Sequence, residues 1–250
     1  MPRPVEQAIE LLTAARHAVA LTGAGIGTPS GIPDFRSRGS GLWTEADPLT
    51  VASIWAFHDQ PEQFYRWIRP LMVKVLAARP NMAHATLALL EQRGLLKTVI
   101  TQNIDSLHLK AGSRHVLEVH GHTRTASCLD CHHVVPSDSL WTSVLDGVAP
   151  HPCPTCGGLL KPDVVLFGEP LPYEAISAAQ HETLAADVML IIGSSLEVMP
   201  VADLPLLARR RGAATILVNL TPTPLDEQMD VVIREDVVKT LQQFRRALVG

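Results

Sequence analysis

The 250-residue chain has no long hydrophobic run and no N-terminal apolar stretch of the kind that precedes a secretory cleavage site. Hydrophobic residues make up 46% of the sequence, but none of the apolar segments approaches the roughly 18 to 20 residues of a membrane-spanning helix. We therefore expect a cytoplasmic protein without a membrane partner.

Positive charge and aromatic residues are also in short supply. The net charge is −4, and aromatic residues account for 4% of the chain. Proteins that bind nucleic acids usually carry a basic surface, with aromatic side chains where they bind single strands. The composition thus disfavours a nucleic-acid partner and is compatible with a cationic peptide.

Cysteine is scarce, and its placement is informative. The four cysteines form two Cys-x-x-Cys pairs, Cys128 with Cys131 and Cys153 with Cys156. Two such turns complete a tetrahedral set of four thiolates, which suits a zinc ion and leaves no open position for water, so the metal would be structural. The alternatives are two disulfides or free buried thiols. Residues 122–161, rich in proline and glycine around these pairs, are predicted to form a small inserted module that a bound metal stabilises.

Short apolar runs alternate with stretches of helical periodicity along the rest of the chain. The predicted strands cover residues 18–21, 97–101, 188–192 and 214–218, and the predicted helices 61–78, 81–93, 172–185 and 203–211. This alternation is typical of the α/β class, a Rossmann-like parallel sheet with helices on both faces, whose ligands bind beyond the carboxyl ends of the strands. We predict a Rossmann-like NAD-binding domain from residues 1–121 and 162–250, interrupted by the zinc-binding module.

A glycine-rich turn follows the first predicted strand. Residues 21–27, Leu-Thr-Gly-Ala-Gly-Ile-Gly, would let a pyrophosphate approach the backbone at the start of the next helix. The dehydrogenase fingerprint is incomplete, because Thr28 stands in place of its last glycine and the expected acidic residue is missing. A plain tight turn is the alternative. Residues 31–60 are predicted to form a mobile cofactor-binding loop and a helical insert. In this loop Phe35 would form an apolar wall beside a ligand and Arg36 would hold the ligand by its charge. The alternative is an ordinary loop with no role in binding.

His120 is the first candidate for a catalytic base. An imidazole titrates near neutrality and can accept a proton in a reaction, although many histidines are only hydrogen-bonded structural residues. An Asn-x-Asp element, Asn103 to Asp105, precedes it in the chain.

In chain order, these elements resemble the sirtuins, NAD-dependent protein deacylases, from about residue 5 to residue 245. The resemblance rests on the paired cysteines and on six motifs: Gly-Ala-Gly-Ile at 23–26, Gly-Ile-Pro-Asp-Phe-Arg at 31–36, Thr-Gln-Asn-Ile-Asp at 101–105, His-Gly at 120–121, Lys-Pro-Asp-Val-Val-Leu-Phe-Gly-Glu at 161–169 and Gly-Ser-Ser-Leu at 193–196. It implies a protein deacetylase that consumes NAD as co-substrate. Such an enzyme transfers the acetyl group of acetyl-lysine to ADP-ribose, releases nicotinamide and the deacetylated lysine, and holds one structural Zn²⁺.

The resemblance also implies roles for individual residues. His120 is the general base, and Asn103 faces the nicotinamide ribose. The residues implied to bind NAD are Gly23, Ala24, Gly25, Ile26, Asp34, Phe35, Arg36, Gln102, Asn103, Ile104, Asp105, Gly193, Ser194, Ser195 and Asn219. Those implied to bind an acetylated protein or peptide are Val164, Phe167, Gly168, Glu169 and Met199. Taken one at a time, the serines and asparagine at strand ends are also common turn formers or helix caps, and an apolar run such as 164–167 is often only a core strand.

Two departures from the family pattern bear on function. Gly27 stands where the family usually has serine, which removes a hydroxyl near the phosphates. Tyr65 is followed three residues later by Ile68 rather than by the arginine of sirtuins that prefer succinyl or malonyl groups, so we expect uncharged acyl groups. Mono-ADP-ribosyl transfer to protein and a catalytically idle NAD sensor are the alternative functions. A zinc-ribbon nucleic-acid binder is disfavoured by the charge balance.

Overall fold

The computed structural model describes residues 3–34 and 47–250. Its strands are β1 (Ala18–Thr22), β2 (Thr98–Thr101), β3 (Val116–Glu118), β4 (Gly121–Cys128), β5 (Val134–Pro136), β6 (Leu160–Val164), β7 (Val188–Ile192), β8 (Ala214–Val218) and β9 (Val231–Ile233). Its helices are α1 (Pro4–Ala14), α2 (Pro48–Val51), α3 (Ile54–Asp59), α4 (Pro61–Ala77), α5 (Met82–Gln92), α6 (Leu107–Lys110), α7 (Asp138–Asp146), α8 (Tyr173–Ala185), α9 (Leu204–Arg210) and α10 (Val237–Leu248).

Six strands form one parallel sheet in the order β3-β2-β1-β7-β8-β9. Strands β2 and β3 follow one another on one side of β1, and β7, β8 and β9 follow one another on its other side. Strand order therefore reverses between β1 and β7, and the loops that follow these two strands diverge to opposite sides. In open α/β sheets such a reversal opens a crevice where ligands bind.

Helices cover both faces of this sheet because alternate strand residues point to opposite sides. On β1, Ala18 and Ala20 pack into a core with helices α1, α5 and α10, whereas Val19 and Leu21 pack into a core with α8 and α9. Both faces of the strand are apolar, as expected for a parallel sheet buried on each side. The predicted fold class is confirmed.

A second, three-stranded antiparallel sheet has the order β5-β4-β6. Its core, which we call the α4/α7 core, also takes in helices α3 and α4. The apolar stripe on α4 has the spacing of one helical face, and it packs against α7 and the cysteine-bearing segments. The residues of this stripe are Phe64, Ile68, Leu71, Met72 and Val75. The boundaries predicted for the zinc-binding module stay a prediction, and the structure adds that helices from outside those boundaries share its core.

The helices predicted at 61–78, 81–93 and 172–185 correspond to α4, α5 and α8, and that at 203–211 to a short 3-10 turn followed by α9. After β1, however, residues 24–30 form two 3-10 turns instead of the α-helix expected behind a phosphate-binding turn. Pro29 and the two glycines in this stretch, Gly25 and Gly27, disfavour a continuous α-helix. Within the described ranges, no helix has the length and apolarity needed to cross a membrane.

Candidate active site and cysteine cluster

The loops after β1 and β7 interlock through three glycines at the point where strand order reverses. Gly25 N–H donates to Gly193 O at 2.8 Å. A Cβ atom on Gly23 would lie 2.7 Å from Gly193 O, and one on Gly193, whose φ is +60°, would lie 2.5 Å from Ile26 N. These separations leave no room for a side chain. The glycines are thus required for one loop to pack on the other, as well as for any ligand to approach the backbone.

A cavity of about 1020 Å³ opens from this crevice, at the upper end of the range of about 300–1,000 Å³ for small-molecule sites. It extends from the glycine turn past the end of β2 to the segment after β6. Most of the predicted site residues line it: Gly23, Ala24, Gly25, Asp34, Gln102, Asn103, Ile104, His120, Val164, Phe167, Gly168, Glu169, Gly193, Ser194, Ser195, Met199 and Asn219. Residues far apart in the sequence therefore share one cavity wall.

His120 sits at the junction of the two sheets. The following residue, Gly121, has φ +74°, and a Cβ there would lie 2.0 Å from Asp163 O, so only glycine lets β4 start against the end of β6. His120 O accepts a hydrogen bond from Val165 N–H at 2.9 Å, and its Nδ1 lies 3.2 Å from Gln102 O. A carbonyl oxygen only accepts, so Nδ1 carries the proton in this contact. In the neutral ring the basic nitrogen is then Nε2.

Asn103 and Asp105 follow the end of β2. The Asn103 side-chain amide donates to Gly23 O at 3.0 Å, which ties the Asn-x-Asp element to the glycine turn. Asp105 is 5% exposed and does not line the cavity. Burial raises the pKa of its carboxyl, and the hydrogen bond from Leu107 N–H to Oδ1, at 2.8 Å, opposes that shift.

An apolar wall on the other side of the cavity comes from one face of α4. Phe64, Trp67, Ile68 and Leu71 line it at helical spacing, a periodicity visible in the sequence but easily taken for core packing alone. Tyr65 points away, because its buried hydroxyl donates to Leu160 O at 2.7 Å. Uncharged side chains therefore face the cavity from this helix.

The segment after β6 runs along the cavity mouth with its backbone partly paired. Phe167 N–H donates to Ala52 O at 2.9 Å and Phe167 O accepts from Ile54 N–H at 3.0 Å, which adds the start of α3 to one edge of this segment. Glu169 Oε2 accepts from Leu166 N–H at 2.8 Å and lies 3.1 Å from the buried Lys161 Nζ. Met199, 59% exposed, lines the cavity from the loop after β7.

The far end of the cavity is polar. Ser194 Oγ accepts from the Gln102 side-chain amide at 3.0 Å, joining the ends of β2 and β7. Asn219 at the end of β8 donates from its amide to Thr221 O at 2.8 Å, and Arg234 Nη1 donates to Asn219 O at 3.0 Å. Neither Arg234 nor Thr221 was predicted to belong to the site, and Arg234 reaches Asn219 only once β8 and β9 have paired.

Of the predicted cofactor residues that the structure describes, Ile26 and Asp105 do not line the cavity. Ile26 is fully buried in the core with α1, α5 and α10. Phe35 and Arg36 lie outside the described residues. Conversely, the wall contains residues that were not predicted from the sequence to bind a ligand, namely Ala52, Phe64, Trp67, Leu71, Leu171 and Pro222.

The four cysteines meet at the tip of the three-stranded sheet. Their sulfurs all lie within 4.8 Å of one another, and those of Cys128 and Cys156 are 3.5 Å apart, those of Cys131 and Cys153 3.7 Å. They form no disulfides. Four sulfurs around a tetrahedral zinc with bonds of about 2.3 Å are separated by about 3.8 Å. The cluster therefore fits a single zinc ion with a closed coordination sphere.

Comparison with known proteins places this geometry among characterised families. A model of the Sir2 family matches residues 23–200. The NAD-dependent protein deacetylase 2 of Caldanaerobacter subterraneus subsp. tengcongensis is 46% identical over 96% of this chain and 94% of its own length. The NAD-dependent protein deacylase 2 of Archaeoglobus fulgidus is 45% identical over 93% of this chain and 91% of its own length.

Solved structures agree with these relatives. One Sir2 enzyme, solved in work on the mechanism and regulation of these enzymes, matches with a TM-score of 0.92 and 42% identity, over 98% of this chain and 97% of that one. A complex of Sir2 with a p53 peptide and NAD⁺ matches with a TM-score of 0.87 and 38% identity, over 97% of this chain and 97% of that one.

Proposed function

The chain belongs to the Sir2 family, and from that membership we propose that it is an NAD-dependent protein-lysine deacetylase. It transfers the acetyl group of acetyl-lysine to ADP-ribose and releases nicotinamide and the free lysine. One observation carries the proposal: His120 and Asn103 line the same cavity as the interlocked glycine turns on one side and the segment 164–169 on the other. A dinucleotide and a peptide side chain thus have access to the same imidazole.

The crevice fits a dinucleotide. The glycine turns bring bare backbone to the cavity wall, and Ser194 and Asn219 offer polar side chains at strand ends, where phosphate and ribose groups are commonly bound. When bound, NAD supplies the sugar that receives the acyl group and the nicotinamide that leaves. Asn103 orients this sugar through its amide without adding charge.

His120 acts as the general base through Nε2. The contact of Nδ1 with Gln102 O fixes the tautomer, so Nε2 keeps the lone pair that removes a proton from a ribose hydroxyl. Gln102 adjoins Asn103, and Val165 N–H holds the backbone of His120. The base is therefore held between the cofactor motif and the peptide segment.

The acyl group enters against the α4 wall and Val164 and Phe167. No cation faces the cavity from α4, because Ile68 and Leu71 are apolar and Tyr65 bonds elsewhere. Burying a carboxylate there without a partner is costly. The substrate is accordingly an acetyl or similar uncharged acyl group on lysine. An extended peptide would add as a strand between segment 164–169 and residues 197–200, with Gly168, Glu169 and Met199 beside it.

Zinc in the cysteine cluster has a structural role. The four thiolates would close the coordination sphere of a bound zinc ion and join the Cys-x-x-Cys turn after β4 to the one before β6. The Cys128 and Cys153 side chains are also part of the α4/α7 core, so a bound ion would help to hold that core together. A cytoplasmic location and the absence of nucleic-acid and membrane partners stay predictions from composition.

Mass spectrometry of an acetyl-lysine peptide incubated with NAD tests the function. The expected products are the deacetylated peptide, nicotinamide and O-acetyl-ADP-ribose together. His120→Ala is expected to lower turnover by about 10²- to 10⁴-fold while the protein stays folded and keeps its zinc. His122→Ala is the matched control, because His122 is two residues further on and lines a different cavity.

The same experiment separates the alternatives. A peptide or protein heavier by one ADP-ribose indicates mono-ADP-ribosyl transfer. Binding of NAD without release of nicotinamide in the presence of the acetyl peptide indicates an idle sensor. Near-normal turnover by His120→Ala refutes the role of that base.

A further inference from the structure

We propose that a buried chain of side chains, Thr101, Thr22 and His108, positions Asn103 for the reaction. The inference rests on the proposed function, since it concerns how Asn103 is held against the nicotinamide ribose. None of the three residues lines the cavity, so each acts through another group. They are positioning residues.

The chain starts at the backbone of Asn103. Its N–H donates to Thr101 Oγ1 at 3.1 Å. Thr101 Oγ1 lies 2.8 Å from Thr22 Oγ1, and Thr22 Oγ1 lies 2.9 Å from His108 Nε2. Thr22 is fully buried, and Thr101 and His108 are each 2% exposed. Side chains from β2, β1 and α6 are thereby linked in the interior beneath the cavity.

The proton count in this chain leaves Thr101 able to accept from Asn103. The two hydroxyls can run from Thr101 through Thr22 to His108 Nε2, or the His108 Nε2–H can donate to Thr22, which donates to Thr101. In either arrangement Thr101 Oγ1 keeps a lone pair for the Asn103 N–H. The first arrangement requires a neutral imidazole and the second is compatible with one; burial, reinforced by the neighbouring His84, holds the pKa of His108 well below its usual value.

His108 closes the chain into a loop under the Asn-x-Asp element. It belongs to α6, whose first residue, Leu107, donates its N–H to Asp105. A path therefore runs from Asn103 through Thr101, Thr22 and His108 back to Asp105. The Asn103 side-chain amide is tied separately to Gly23 O, so both the backbone and the amide nitrogen have a fixed partner.

The His108 ring is itself held from the side by His84, at a centroid distance of 4.9 Å and an interplanar angle of 58°. His84 Nδ1 accepts from Asn81 N–H, at 3.3 Å, and the Asn81 amide donates to Ile26 O and to Ser30 Oγ. The support beneath Asn103 thus continues to the glycine turn. Loss of a link in this chain is expected to move Asn103, and misplacement by about 1 Å can lower a rate by about 10²-fold.

Valine and serine substitutions at Thr101 separate positioning from simple core stability. Thr101→Val keeps the shape but removes the acceptor for Asn103, whereas Thr101→Ser keeps the hydroxyl and removes a methyl group. Thr98→Val is the matched control: Thr98 is a buried threonine at the other end of the same strand, and its hydroxyl donates to Glu182 at 2.9 Å, away from the cavity. Melting temperature, kcat and KM for NAD are measured for all three.

We expect Thr101→Val to lower kcat for the acetyl peptide by about tenfold or more, with a melting temperature no lower than that of Thr98→Val. Thr98→Val and Thr101→Ser are expected to stay within about threefold of the parent chain, because a positional error of a small fraction of an ångström costs little. Equal turnover by Thr101→Val and Thr98→Val overturns the proposal. So does an equal loss of turnover in Thr101→Ser and Thr101→Val.

Calorimetric titration measures the affinity for NAD, and it distinguishes failure of the positioning role from failure of the proposed function. A parent chain that binds NAD but releases no nicotinamide with the acetyl peptide refutes the deacetylase function alone. The positioning role is then judged from binding: we expect Thr101→Val to bind NAD more weakly than both Thr98→Val and Thr101→Ser. Equal affinity in the three variants overturns it.

Discussion

Acidification is expected to destabilise this protein through a histidine that remains neutral inside the fold. His84 is fully buried on α5, and burial lowers its pKa to about 4. An unfolded chain binds the proton near pH 6.5. Because the folded pKa lies below the unfolded one, the unfolded state takes up more protons between these values, and the free energy of unfolding falls as the pH falls through that window.

The magnitude follows from the two pKa values. The gap between about 6.5 and about 4 corresponds to about 3 kcal/mol when the window has been crossed completely, and to about 2 kcal/mol between pH 7 and pH 5. His84→Gln removes the titration but keeps an acceptor for the Asn81 N–H, since glutamine suits this position of a capping box. The stability of the variant relative to the parent should therefore improve by about 2 kcal/mol between pH 7 and pH 5.

Urea unfolding at a series of pH values, followed by circular dichroism, gives this difference directly. Comparing the variant with the parent at each pH cancels contributions that both share, including protonation of the zinc thiolates and of Asp105. The exposed His58→Gln variant is the control, and its curve should run parallel to that of the parent. Parallel curves for the parent and His84→Gln would show that the buried imidazole does not govern acid stability.

Three further predictions concern the cofactor, the metal and the substrate. A Cβ on Gly27, whose φ is −84°, would lie 3.5 Å from Asp105 Oδ2, so Gly27→Ser places a hydroxyl beside that carboxyl. We expect this variant to bind NAD with a Kd up to about fivefold lower than that of the parent chain, the effect of one hydrogen bond. An unchanged or higher Kd contradicts this prediction. Cys153→Ser should abolish the single equivalent of zinc found by metal analysis and lower the melting temperature by about 10 °C or more, and a variant that melts with the parent argues against a structural ion. The parent chain should turn over an acetyl peptide at least about tenfold faster than a succinyl peptide. Ile68→Arg should reduce this ratio of acetyl to succinyl turnover. A parent chain that prefers the succinyl peptide shows that the acyl pocket is wrongly assigned.

The parallel sheet, the cysteine cluster and the family of this protein can be predicted from short stretches of its sequence. Each predicted strand of the parallel sheet is an apolar run that ends at glycine or a polar residue, a local signal that survives because both faces of the strand are buried. The spacing of the cysteine pairs likewise predicts four sulfurs at one point, since each Cys-x-x-Cys turn brings two together unaided. Family membership, also predicted from the motifs, is confirmed by the comparisons. The roles of the individual site residues stay predictions.

Tertiary structure decided what depends on residues that are distant in sequence. The close packing of the glycine turn on Gly193, some 170 positions later, cannot be predicted from either segment alone. Trp67 and Leu71 line the cavity in addition to packing in the α4/α7 core, because β6 and its following segment lie opposite α4. The contact between His108 and Thr22 likewise exists only once β1, β2 and α6 have come together. Local sequence patterns indicate which residues prefer burial or a turn. The hydrogen-bond partner of a buried polar group, by contrast, depends on the tertiary structure, because residues distant in the sequence must first be brought together.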